Sequence, residues 1–395
     1  MFDFIVIGGG IAGASIAAEL SPEHSVLILE MEDQPGYHAS GRSAALYSEI
    51  YGNATIRGLT RASRDFYHAP PAGFCDVPLL RPREMMFIAR PDQMERLATF
   101  AAEPDIRAGM APIDAARAIA LCPVLRPDYV AGAIHGAAVC ADIETATLHQ
   151  GYLRQFRRNG GTLRTGCRVE HLDRLSGGWR IKAGEDSFEG AVLIDAAGAW
   201  ADEIAVLAGR PTLGLRPLRR TAILVDPPAC DGFENWPAVG DIEEAFYFKP
   251  DAGLLMLSPG DETPDVAGDA QPDELDVAIA IDRVTAAADI PVRSIRHRWA
   301  GLRTFAPDRN PVIGFDEGDD RFFWLAGQGG YGFQTAPALA RAAAALVRGG
   351  PIPDDILAEG IIATDLAPGR FAASLHGKHE PSRHQDTAQD HGLDA

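Results

Sequence analysis

Within its first thirty residues the chain carries a strand, a glycine-rich turn, a helix and a second strand. This unit constrains the fold more than any other segment. Residues 4–7 are an apolar run, residues 11–20 an alanine-rich helical stretch, and residues 25–29 a second apolar run closed by Glu30. Gly8, Gly10 and Gly13 stand between the first strand and the helix. Gly8 permits a tight turn, Gly10 lets the backbone approach a pyrophosphate, and Gly13 lets helix and strand pack closely. The pyrophosphate rests on the positive end of the helix, so Ile11 and Ala12 are expected to touch it. Glu30 follows Gly13 at close to the roughly 20-residue spacing at which an acid accepts from ribose hydroxyls. Met31 stands beside it. Three glycines alone are a weak signal, whereas strand, glycines, helix, strand and terminal acid together are a strong one.

A nicotinamide enzyme should continue into alternating strands and helices. Instead residues 36–45 form a small-residue stretch that reads as the opening of a helix. Gly41, Arg42, Ser43 and Ala44 are placed there to meet phosphate and flavin, with Ser43 as a hydroxyl donor. A second apparent fingerprint, Gly327, Gly329 and Gly332, follows an apolar run at 322–326 and opens a helix over 335–347. No strand and acid follow it, so it reads as a helix terminus aimed at a flavin ring. The cofactor expected is FAD.

Composition narrows the partners. Acidic residues outnumber basic ones by 55 to 36, for a formal charge of −19, which argues against nucleic acid or an anionic membrane as partner. There is no secretory signal and no apolar run of spanning length. The five cysteines are scattered, odd in number and form no Cys-x-x-Cys pair, which suits reduced thiols and no metal site. A cytoplasmic location is expected.

Strands are predicted over 84–89, 162–169, 191–195, 216–225 and 245–257, with a hairpin at Gly177-Gly178. Helices are predicted over 92–102, 113–121 and 146–158. Cofactor motifs recur near residues 8, 42, 198 and 330, with antiparallel patterns between them. The fold class expected is therefore α/β: a Rossmann-like FAD domain of glutathione-reductase type, interleaved with a mixed antiparallel-sheet α+β substrate domain. The FAD domain takes residues 1–50, 140–215 and 300–366, and the substrate domain takes 51–139 and 216–299. Residues 367–395 read as a polar, disordered tail carrying His376, His379, His384 and His391.

These motifs resemble the D-amino-acid oxidase and glycine oxidase superfamily of flavoproteins, and within it bacterial D-arginine dehydrogenase. The resemblance runs over nearly the whole chain apart from the tail. It is most specific at 35–45, 53–80, 148–154, 246–253, 299–305 and 328–335. It implies FAD contacts at Val169, Ala197, Gly198, Trp200, Gly329, Gly330, Tyr331, Gly332, Gln334 and Thr335. Thr304 offers no thiol beside Arg303 and no cysteine falls in a flavin-linked motif. FAD is thus expected to be non-covalent, although His38 lies near a position that distant relatives use for attachment.

Oxidising an amino acid needs a carboxylate anchor, and guanidinium groups bind carboxylates bidentately. Arg220 and Arg303 are the candidates, both matching substrate-binding positions of the family, while Arg219 reads as a surface arginine. Tyr51 and Tyr247 match the family's active-site tyrosines. The Gly330 carbonyl is placed to accept from the substrate ammonium. Two departures bear on the substrate. Leu46 stands where the family has a histidine, and the segment before Glu84, the family's acid for a cationic side chain, is one residue short. The expected activity is hydride removal from the α-carbon of a D-amino acid, D-Arg or D-Lys if Glu84 faces the pocket and an apolar one if it does not. The imino product hydrolyses to a 2-oxo acid and ammonia. Glycine, sarcosine or another secondary amine and a 2-hydroxy acid are the alternative substrates, and a flavin-binding protein without turnover is the alternative of another class. The electron acceptor, whether a quinone, a carrier or dioxygen, stays open.

Overall fold

The apolar run at the N-terminus forms the strand Phe2–Ile7, which lies between two parallel partners, Val26–Leu29 and Asp186–Asp195. Parallel strands covered on both faces read as continuous apolar runs, and the segments meeting here do so. The structure, a computed structural model, describes residues 1–371. The histidines at 376, 379, 384 and 391 lie outside the described residues. Eight strands make up this first sheet, with Thr162–Arg164 at one end, Asp319–Ala326 pairing in parallel with Asp186–Asp195, and an antiparallel hairpin of His171–Leu175 and Gly178–Ala183 at the other end. The helices Ile11–Leu20, Thr145–Arg158 and Gly332–Val347 pack over one face.

A second sheet of ten strands supplies the other wall of the site. Its order is Gln328–Gly329, Ile295–Phe305, Arg216–Val225, Leu254–Ser258, Tyr247–Asp251, Ala238–Asp241, Met85–Ala89, Gly132–Gly136 and Ala111–Asp114, with Thr263–Pro264 pairing on Arg216–Val225. One face packs a core: Met86, Val239, Phe248, Leu257 and Ile223 meet Val277, Ala280 and Val284 of the helix Glu274–Ala287. Side chains alternate along a strand. Their neighbours Phe87, Gly240, Tyr247, Ala222, Gly301 and Arg303 therefore present the opposite face, toward the first sheet. A three-stranded sheet, Leu46–Ser48, Cys140–Ile143 and Leu80–Pro82, lies apart from both.

The structure corrects several boundaries. Residues 36–42 form consecutive turns, residues 43–45 run irregularly, and none of them is helical. Gly36 has φ +81, and a Cβ at Gly41 would lie 2.5 Å from the Gly36 carbonyl oxygen, so the segment folds back on itself. The strand expected over 162–169 ends at Arg164, and residues 165–169 run irregularly along the cavity wall. The helix expected over 113–121 begins at Ala115, because Asp114 ends a strand and accepts from Arg117 N–H as its cap. The last long helix begins at Gly332 and runs through Pro337. Proline removes the N–H that would bond the Phe333 carbonyl; the Tyr67 hydroxyl donates to that carbonyl instead, and Ser63 Oγ accepts from Ala338 N–H at 3.1 Å. Residues 368–371, expected within the tail, form a 3-10 turn in which Phe371 is buried and Arg370 Nε donates to Asp308 at 2.7 Å.

Candidate active site

The two sheets face each other across one large cavity. From the first sheet come Gly8 and Gly10 of the turn, Ile11 and Ala12 of the helix, and Glu30 and Met31 at the end of the second strand. Arg42, Ser43 and Ala44 border it, as do Val169, Ala197, Gly198 and Trp200. Arg220, Tyr247, Arg303 and Gly329 enter from the second sheet, Tyr51 from the segment after Leu46–Ser48, Gly330 from the link to the last helix, and Gly332 and Gln334 from the start of that helix.

Five expected residues do not line this cavity. A Cβ at Gly13 would lie 2.0 Å from the Gly8 carbonyl oxygen, so Gly13 serves the close approach of helix and strand. Gly41 closes its own turn against the Gly36 carbonyl. Thr335 is buried and its Oγ1 donates back to the Tyr331 carbonyl at 2.8 Å. Tyr331 packs against Tyr51, with ring centroids 5.2 Å apart, and under the Arg303 guanidinium at 5.7 Å. Burial, with Tyr51 nearby, pushes its phenol up to about 12. The fifth is Glu84, which is paired elsewhere: its Oε2 lies 2.8 Å from His135 Nε2. Strand alternation is the reason. Met85 and Phe87 line the cavity, so Glu84 and Met86 face away, and Met86 stands opposite His135 in register.

The turn at Gly8–Gly10 is held by residues whose role the sequence alone does not reveal. Glu30 Oε2 accepts from Gly9 N–H at 2.8 Å, and Ser40 Oγ accepts from Ile11 N–H at 2.9 Å. Ser40, not Ser43, is thus the hydroxyl on this turn. His149 is buried, and burial holds its pKa below the ordinary value. Its neutral ring donates from Nε2 to the Gly9 carbonyl at 2.8 Å. Asp195 ends the strand beneath Ala197, where burial drives its pKa far up; its Oδ1 accepts from Ala197 N–H.

At the other end of the cavity Arg303 Nη2 donates to the Tyr51 hydroxyl at 3.2 Å. Its Nη1 is buried with no hydrogen-bond partner among the described residues, and the nearest carboxylate oxygen, Glu262 Oε1, is 3.6 Å away. Arg220 Nε donates to the Asp261 carbonyl at 2.7 Å, and its guanidinium lies 6.0 Å from the Tyr247 ring centroid. Glu262 also sits 3.5 Å from Arg220 Nη2. Burial alone would raise Glu262, but hydrogen bonds from Arg309 and the charges of three arginines hold it below the usual range. Arg219 faces the opposite side of the sheet, donating to Asp265 and Asp276 at 3.0 Å each. A Cβ at Gly330 would lie 1.7 Å from Arg303 Nη2, so only glycine lets the backbone lie against this guanidinium without displacing it.

The cavity has the parts a dinucleotide needs. Gly10 leaves the cradle open, a Cβ there meeting only Ser40 Oγ, and Gln334 Nε2 on the cavity wall is buried with no hydrogen-bond partner among the described residues. Residues 3–346 match the model of a family described as DAO, FAD dependent oxidoreductase. The chain belongs to the DAO family of FAD-dependent oxidoreductases. FAD is the cofactor of the family, and the cradle fits it. This DAO-family chain is 27% identical over 390 residues to the tRNA 5-methylaminomethyl-2-thiouridine biosynthesis bifunctional protein of Thiobacillus denitrificans, a match that covers 93% of the chain. The chain spans 59% of that relative's length, less than two thirds. It is 24% identical over 366 residues to the glycine oxidase of Bacillus licheniformis, covering 89% of the chain and 94% of that enzyme. Its fold is like that of L-proline dehydrogenase from P. horikoshii, with a TM-score of 0.77 at 19% identity, covering 94% and 98% of the two chains. No helix among the described residues is long and apolar enough to cross a membrane.

Proposed function

We propose that the chain oxidises an α-amino acid at its α-carbon, with Arg303 and Arg220 holding the carboxylate. The observation that carries this reading is the Arg303 guanidinium, which lines the cavity, hydrogen-bonds among the described residues only to the Tyr51 hydroxyl and has its nearest carboxylate, Glu262, 3.6 Å away. A buried guanidinium with so few hydrogen bonds is costly, and a substrate carboxylate supplies acceptors. Bound FAD, held non-covalently by the residues around Gly8–Gly10, supplies the acceptor for the hydride that leaves the α-carbon. The residues do the rest by orientation. Tyr51 fixes the Arg303 fork, Tyr247 stands over Arg220, and Gly330 offers its carbonyl to the ammonium, which gives up one proton. We read the first sheet and its helices as the cofactor-binding part and the ten-stranded sheet as the substrate-binding part.

The D configuration, and kinship with D-arginine dehydrogenase, rest on the resemblance of residues 35–45, 246–253 and 299–305. The side-chain end does not favour a cation at Glu84. Leu46, Met85, Phe87 and Ala238 line the cavity there, so an apolar D-amino acid such as D-Met is the substrate proposed. Replacing Glu84 with Leu is accordingly expected to change kcat/KM for D-Arg and D-Met by the same small factor. A selective loss of D-Arg activity would return Glu84 to the pocket. Similarity to glycine oxidase over nearly its full length supports a second reading, oxidation of glycine or sarcosine. Product analysis with an artificial acceptor separates the two. Equal amounts of ammonia and the 2-oxo acid of D-Met support the first, and glyoxylate from glycine or sarcosine, with no turnover of D-Met, supports the second.

A further inference from the structure

The two guanidiniums of the proposed carboxylate anchor, Arg220 and Arg303, share one carboxylate of this chain. Glu262 Oε1 lies 3.5 Å from Arg220 Nη2 and 3.6 Å from Arg303 Nη1 and hydrogen-bonds to neither. A third arginine takes that carboxylate instead. Arg309 Nη1 donates to Glu262 Oε2 at 3.0 Å, and Arg309 Nη2 donates to Oε1 at 2.7 Å. A fork of two such bonds fixes the orientation of a carboxylate as well as balancing its charge. Arg220 and Arg303 line the cavity, whereas Glu262 and Arg309 stand outside its lining.

Both partners of the fork are mounted on constrained backbone. Glu262 follows Asp261, whose carbonyl accepts from Arg220 Nε at 2.7 Å and whose carboxylate accepts from the Thr221 N–H and hydroxyl at 2.8 and 3.0 Å. Arg309 has φ +66, a left-handed conformation uncommon outside glycine. Such a conformation persists only where its surroundings over-determine it, and the loop 306–311 does so. Arg309 N–H donates to the Ala306 carbonyl at 2.9 Å, while Arg370 ties the loop on either side, through Asp308 at 2.7 Å and the Asn310 carbonyl at 3.0 Å. The Arg309 guanidinium then lies 3.9 Å over the Phe305 ring. Arg309 is 43% exposed and Glu262 32%. An ion pair that open to water contributes little to stability, so stability does not account for the backbone conformation that aims Arg309 at Glu262.

We propose that Arg309 is a positioning residue that keeps Glu262 off the carboxylate anchor, an inference that rests on the reading of Arg220 and Arg303 as that anchor. Coulomb attraction falls slowly with distance, whereas a hydrogen bond weakens steeply beyond its normal length. At 3.5 and 3.6 Å, Glu262 therefore offsets the charge of two buried guanidiniums and leaves their N–H donors to a substrate carboxylate. Released from the Arg309 fork, Glu262 has only the 3.6 Å gap to close before it hydrogen-bonds Arg303 Nη1. It then competes with the substrate for the same donors. Arg309 acts on binding through Glu262 and touches no substrate itself.

The test titrates oxidised holoprotein with propionate, a carboxylate without an amine, and reads binding from the flavin difference spectrum. Arg309→Met keeps an apolar stem over Phe305. It should raise the dissociation constant about 10-fold, within the coupling expected inside one ion network, with FAD content unchanged. Glu262→Gln should bind propionate at least as tightly as wild type, and adding Arg309→Met to it should change nothing further. A loss caused by the charge of Arg309 itself, or by a disturbed loop, would persist in the Glu262→Gln background. The same loss in both backgrounds therefore overturns the inference, as does wild-type affinity in the Arg309→Met protein. Propionate that fails to bind wild type, or binds Arg303→Met protein equally well, removes the anchor and the inference together. Binding that needs Arg303 and ignores Arg309 overturns the inference alone.

Discussion

Arg303→Met protein keeps its FAD and its fold but loses about 10²–10³-fold in kcat/KM toward amino acids, the cost of removing one partner from a buried, charge-assisted carboxylate pair. Methionine fills a similar volume without a donor, so the loss is electrostatic and not a cavity effect. The effect should fall on substrate binding first. The Tyr51 hydroxyl and the Gly330 backbone remain in place, while the carboxylate loses the guanidinium that lines the cavity beside them. A steady-state comparison of D-amino acids with the corresponding amines, which lack the carboxylate, checks the assignment. The variant should cut the acid and leave the amine unchanged. Equal kcat/KM in variant and wild type for the acid removes Arg303 from the site.

Gly10→Val gives a folded, colourless protein. Gly10 has φ −70 and ψ −174, a conformation any residue adopts, and the nearest atom to a Cβ there is Ser40 Oγ at 3.1 Å. Valine is therefore tolerated by the backbone, but its methyl groups occupy the cradle at the helix end. Gly13→Ala differs in kind, because its Cβ would lie 2.0 Å from the Gly8 carbonyl oxygen and the strand–helix contact would have to open. Absorbance at 450 nm and thermal unfolding separate the two. Gly10→Val should lose the flavin spectrum and melt as wild-type apoprotein does, and Gly13→Ala should melt lower even against that apoprotein. Yellow Gly10→Val protein of normal FAD content would refute the phosphate-cradle reading.

The cradle was legible because it is local: strand, glycines, helix and acid lie within thirty residues of one another. The substrate end was not. Tyr51, Arg220, Tyr247 and Arg303 come from strands and loops spread over most of the chain, and in the sequence only resemblance to a family connects them. Glu84 illustrates the limit. The strand Met85–Ala89 is apolar and buried along its whole length, so hydrophobic alternation cannot tell which of its residues face the cavity. Pairing with Gly132–Gly136, seen only in three dimensions, decides it. Residues 36–45 misled for another reason. Their small side chains suit a helix, but the segment is held as turns by contacts made far away, Trp299 on Arg42 and Ser40 on Ile11. The helix Glu274–Ala287 went unassigned although Asp273 caps it by accepting from Leu275 N–H, a local signal the chain carries in full view.

We propose that this DAO-family chain takes a hydride from an amino acid anchored on Arg303. The most direct measurement is anaerobic stopped-flow absorbance of the holoprotein mixed with D- and L-amino acids. Rapid bleaching at 450 nm by D-Met or another apolar D-amino acid, absent in Arg303→Met protein, is the result expected. No bleaching by any amino acid would contradict the account, as would bleaching that the Arg303→Met variant reproduces at the wild-type rate.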